Sequence, residues 1–81
     1  MHTEKNKIKK FLKLKYWREY LSKDQGDMAI LLGCGRSNYC EKENGNISFS
    51  LKEAIIIQQA FNKELKKMGL AELTMDDIFL H

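Results

Sequence analysis

The chain has 81 residues, 43% of them hydrophobic and 31% charged, with five glycines and no proline. That composition excludes a disordered polar chain and suits one small domain, residues 1–81, with a single helical core. No run of about 18 apolar residues is present to span a membrane, and the charged N-terminus lacks the apolar stretch of a secretory signal, so a cytoplasmic location is expected.

Net charge is +3 but unevenly placed. Met1 to Lys23 carries eight Lys or Arg against two Glu, giving +6, and the remainder carries −3. A basic segment beside a near-neutral body suits a phosphate backbone and suits a solvated helix face equally well. Residues 1–7 are polar and read as a flexible arm. Ile8 to Leu21 reads as a helix, with Phe11, Leu14, Trp17 and Leu21 at spacings of three or four. Leu12, Tyr16 and Tyr20 form a flanking strip that predicts a wide buried arc, and lysines fill much of the other side. A basic amphipathic helix can lie on a lipid surface, but anchoring generally needs a second signal. The aromatics are accounted for as core, so no membrane partner is expected.

The stretch from Asp24 to Gly45 predicts two short helices joined by a turn at Gly33-Cys34-Gly35. Asp24 is the N-cap, and the negative charge of Asp27 favours the same helix N-terminus. Met28, Ala29, Leu31 and Leu32 supply the apolar face, and Gly33 supplies the stop. The second helix runs from about Gly35 to Glu43, before the turn signal Asn44-Gly45. Helix, short Gly-containing turn, helix is the spacing of a helix-turn-helix.

Asn46 to Phe49 reads as a loop with apolar anchors at Ile47 and Phe49. Ser50-x-x-Glu53 is a capping box for a long helix reaching Met68, with Lys66 and Lys67 at its C-terminal dipole and Gly69 as its stop. Leu51, Ala54, Ile55, Phe61, Leu65 and Met68 make the expected stripe. Ile56 and Ile57 broaden it, which calls for a second burial partner, either another copy of the chain or the N-terminal helix. A last short helix begins at Thr74, where Thr74-x-x-Asp77 is a further capping box, and Ile78, Phe79 and Leu80 are expected to pack back. The fold class is therefore all-α, of about five helices.

Several of these pieces, in this order, carry a resemblance. Gln25, Met28-Ala29, Leu32-Gly33, the polar run Arg36-Ser37-Asn38 and Glu43-Asn44-Gly45 resemble the helix-turn-helix of the phage repressor and Cro family, the XRE-type regulators. Trp17-Arg18-Glu19, Ser50-Leu51-Lys52-Glu53 and Thr74 to Phe79 resemble that family's first, fourth and last helices, so the likeness covers about residues 14–79. It implies a lambda-repressor-like DNA-binding domain, here with an extended fourth helix, since Phe61 to Lys67 lengthen that helix beyond the family's usual form. It further implies a homodimer on two-fold duplex sites and transcriptional control, as a repressor, in a phage, prophage or mobile element. Carried over residue by residue, Arg36, Ser37, Asn38 and Glu41 face the bases, while Gln25, Asn44 and Asn46 meet the DNA backbone. Arg18, Glu43, Gly33 and Tyr39 are structural, with Arg18 expected to pair with Glu43 and Tyr39 to be core.

Within the helix-turn-helix, the sequence departs from the family pattern at three places. Gly35 stands where Ser or Thr is usual, Lys42 where an apolar residue is usual, and Glu41 is negative on a face meant for DNA. Cys34 and Cys40, spaced C-x5-C with no nearby His, match no zinc pattern and read as reduced structural thiols. No catalytic constellation or phosphate-cradling loop is present, so no enzyme, cofactor or metal is expected. The competing class is a protein-interaction module that uses the helix-turn-helix surface to bind another regulator.

Overall fold

Residues 10–80 are described by a computed structural model, which contains five helices and no strand over that span. The arm expected at residues 1–7, the first two residues of the expected N-terminal helix and His81 lie outside the described residues. The helices are α1 (Leu12–Tyr20), α2 (Gln25–Leu32), α3 (Arg36–Glu43), α4 (Leu51–Lys67) and α5 (Met75–Phe79). α2 packs on α3 and α4, α1 on α3 and α5, and α4 on α5.

Local chemistry sets most of the boundaries. Asp24 Oδ1 accepts the Asp27 N–H at 2.7 Å, and Asp27 Oδ2 accepts the Asp24 N–H at 2.9 Å, so α2 begins on a reciprocal box. Ser50 with Glu53 and Thr74 with Asp77 start α4 and α5 in the same way. These bonds hold the Asp24 and Asp77 carboxyls below the usual carboxylate range, the backbone N–H of the partner residue being the main cause in each. Gly33 ends α2 at φ 71°, a left-handed conformation that a side chain would strain. α3 and α1 start without such a bond, α3 because its N-cap is Gly35 and α1 because its N-cap is Phe11. α1 starts later than expected because Lys10 and Phe11 are drawn off the helical path. The Phe11 N–H donates to the Glu43 carbonyl at 3.0 Å, tying the start of α1 to the end of α3.

The core is Leu14, Met28, Ala29, Tyr39, Ile57, Phe61, Leu65, Leu73 and Ile78. Phe11, Trp17, Leu21, Leu32, Phe49 and Phe79 close over it. Phe11, Phe49 and Phe79 meet edge to face, with ring centroids 5.4 to 5.9 Å apart, where α1, the loop before α4 and α5 converge. The connector after α4 is clamped from that helix. Asn62 Oδ1 accepts the Leu73 N–H at 2.7 Å, while Asn62 Nδ2 and Gln58 Nε2 donate to its carbonyl at 3.1 and 3.0 Å.

The buried arcs are narrower than the sequence suggests. Leu12, Tyr16 and Tyr20 are 66%, 58% and 45% exposed, so this strip of α1 lies outside the core. Only the Leu14 side of α1 meets α3 and α5. On α4 the buried line is Ile57, Phe61 and Leu65, while Leu51, Ile55 and Met68 are exposed. α2 and α5 cover only that line of α4. Leu31 in α2 and Leu80 after α5 are likewise exposed. Tyr16 and Tyr20 stack 6.2 Å apart with Trp17 edge-on to both, along an open apolar groove that Leu70 and Leu73 face from the connector. Among the described residues no helix is long and apolar enough to cross a membrane.

Candidate functional site

α3 has a buried back and a solvated front, and its back is polar. Tyr39 is fully buried, and its hydroxyl donates to Glu43 Oε2 at 2.8 Å. Glu43 is 4% exposed and takes a forked pair of bonds from Arg18, Nε to Oε2 at 2.8 Å and Nη2 to Oε1 at 3.0 Å. Gln25 Nε2 donates to the same Oε1 at 3.3 Å, and Arg18 Nη1 donates to the Lys23 carbonyl at 2.9 Å. The Arg18–Glu43 pair thus forms at the centre of a larger clasp joining α1, α2 and α3. A buried ion pair is tolerable only when its remaining donors and acceptors are matched. No buried side-chain N or O among the described residues lacks a partner.

The titration shifts follow. Burial pushes the Glu43 carboxyl up, but the bonds from Arg18, Tyr39 and Gln25 outweigh it and leave its pKa below the ordinary value. Burial first, and then the charge of Glu43, drives the Tyr39 hydroxyl far above its usual range. The bond to Glu43 holds the Arg18 guanidinium in its charged form.

Lys42, standing where an apolar residue was expected, is only 8% exposed. Its ammonium reaches Glu53 Oε1 at 2.7 Å and Oε2 at 2.9 Å, and lies 5.9 Å from the centroid of the Phe49 ring. The stem fills the apolar position while the charge is passed to the first turn of α4. Bonds from Lys42 and from the Ser50 N–H hold the Glu53 carboxyl below its ordinary range.

The front of α3 presents Arg36, Ser37, Asn38 and Glu41, all exposed. Gln25, Arg36, Ser37, Cys40 and Glu41 line one shallow polar hollow between the start of α2 and α3, so four of the seven residues expected at a DNA face share it. Asn38, Asn44 and Asn46 do not line that hollow. After the bonds from Asp27, the positive charge of Arg36 also helps to keep the Asp24 carboxyl ionised at the start of α2. The three residues expected on the DNA backbone each make a bond within the chain. Besides Gln25 to Glu43, Asn44 Nδ2 lies 3.6 Å from Cys40 Sγ, and Asn46 Nδ2 donates to Glu41 Oε1 at 2.7 Å. Cys34 and Cys40 are free thiols.

Sequence reasoning missed the Lys42–Glu53 bridge and the Asn46–Glu41 bond. Neither follows a helical period, and only the opposite charges of Lys42 and Glu53 hinted at the first. Chemically, the front of α3 offers a guanidinium fork and the free N–H groups of a helix start at one end, with a single carboxylate acceptor further along. No family model, curated protein or solved structure matches the chain.

Proposed function

We propose that the chain is a sequence-specific duplex-DNA-binding regulator of the phage repressor and Cro type, acting as a homodimer in the cytoplasm. The observation that carries this reading is the division of α3. Its back is fastened to α1 and α2 through Glu43, while its front holds Arg36, Ser37, Asn38 and Glu41 in solvent on a helix short enough to enter a major groove. Arg36 reads a guanine with its two-pronged donor set, Ser37 can donate to or accept from a base edge, and Glu41 accepts from a base amine. Two copies reading half-sites about one helical turn apart give a two-fold operator, and the bound protein acts as a repressor. The phage, prophage or mobile-element setting rests on the sequence resemblance alone.

The test is a selection from random duplex DNA at moderate salt with the full-length protein. A two-fold symmetric site is the expected product, and Arg36→Ala should lose preference at one position of each half-site by roughly tenfold. Recovery of no DNA would sink the reading. A second reading, a module that binds another regulator, is favoured by one observation: Asp24, Asp27 and Glu41 are all exposed around the motif, whereas of its basic residues Lys42 is buried. In that case Arg36→Ala leaves a DNA-independent complex intact.

A further inference from the structure

Glu41 is the residue on the front of α3 that is hardest to reconcile with a polyanion, and it is also the most firmly held. Gly45, at φ 85°, turns the chain back on the end of α3. The next two residues then close on Glu41. The Asn46 N–H donates to the Glu41 carbonyl at 2.9 Å, the Ile47 N–H donates to the same oxygen at 3.3 Å, and Asn46 Nδ2 donates to the Glu41 carboxylate at 2.7 Å. The carboxylate is therefore held through Oε1, and Oε2 makes no hydrogen bond among the described residues.

We infer that Asn46 is a positioning residue that fixes the Glu41 carboxylate so that its remaining oxygen accepts from the amine of a cytosine, rather than a contact to the DNA backbone. The inference rests on the DNA-binding reading above. An ionised carboxylate only accepts. In the major groove the amine donors are those of cytosine and adenine, and adenine sets an acceptor, N7, beside its donor where a carboxylate would be repelled. An unheld Glu side chain loses much rotational freedom on reaching a base, and it samples positions near the phosphates. The bond from Asn46 removes that freedom before DNA arrives and spends the Asn46 amide on Glu41.

The experiment compares the wild type, Asn46→Ala, Glu41→Gln and the double variant in the random-duplex selection, followed by titrations of the selected duplex and of a non-specific duplex at several salt concentrations. The expected result is a cytosine at one position per half-site. In Asn46→Ala that preference should fall roughly tenfold. Its affinity for the non-specific duplex and its salt dependence should not change. Glu41→Gln should lose the same position, and adding Asn46→Ala to it should change nothing further. If Asn46→Ala instead weakens every duplex alike and lowers the salt slope by about one, Asn46 is a backbone contact and the inference is overturned. A cytosine preference that survives Glu41→Gln overturns it as well. If the wild type binds no duplex, the DNA-binding reading falls and takes this inference with it, an outcome distinct from the other two.

Discussion

The back of α3 and the inner line of α4 enter the same small core, and they are held there by opposite means. α4 contributes Ile57, Phe61 and Leu65, three apolar side chains one turn apart with no polar atom to satisfy. α3 contributes Tyr39, Lys42 and Glu43, all polar or charged and all bonded. Burial of apolar surface stabilises without regard to direction or pH. A buried charge costs energy unless each of its bonds is made, so it stabilises only one arrangement. The difference suggests a division of labour. α4 holds the domain together, and the clasp on α3 sets how that helix is aimed.

The largest effect expected is that of Phe61→Ala, which leaves a cavity where α4 enters the core. It should lower the unfolding free energy by about 3–5 kcal/mol in urea denaturation, a large part of what a domain this size has. The loss should be the same at pH 7 and in mild acid, and a strong pH dependence would break the contrast with α3.

Glu43→Ala comes next, at about 3 kcal/mol near neutral pH, because it strands the Arg18 guanidinium and the Tyr39 hydroxyl. Here the sign of the pH dependence is informative. The Glu43 pKa is lower in the folded protein than in the unfolded chain, so its contribution is complete above the unfolded carboxylate value of about 4.3. That contribution is lost as pH falls through the folded value. The gap between wild type and Glu43→Ala in pH-resolved melts should therefore narrow in acid. A constant gap would mean that packing, not charge, holds the back of α3.

The smallest effect should be that of Lys42→Met. The stem is retained in kind, and Glu53 keeps its capping bonds with Ser50 and some access to water. The change should stay within about 1 kcal/mol, since replacing a paired buried charge with an apolar group is often neutral. A large loss would place Lys42 inside the clasp rather than beside it.

The same contrast explains what could be read from the sequence. Helix caps are local, so Asp24, Ser50 and Thr74 announced the starts of α2, α4 and α5, and the count of five helices in an all-α fold followed. The phase of α4 was harder, because Ile55-Ile56-Ile57 is apolar all round and gives the period nothing to lock onto. Only the packing of α2 and α5 turns Ile57 inward and leaves Ile55 out. The start of α1 depended on a bond between Phe11 and Glu43, residues far apart in the chain, which no window of sequence contains. At the candidate site, the exposed front of α3 could be read from its polar run. The engagement of Gln25, Asn44 and Asn46 within the chain could not, since an amide that bonds a neighbour and one that waits for a ligand look alike in sequence.

Trp17 gives the molecule a built-in optical probe. It is the sole tryptophan, and it sits half-buried between Tyr16 and Tyr20 on the wall of the α1 groove. Its fluorescence therefore comes from one place. Anything that dries the groove will shift that emission to the blue, and anything that frees α1 will shift it to the red. An unlabelled sample thus carries a signal by which dilution, added duplex or a candidate partner can be followed directly.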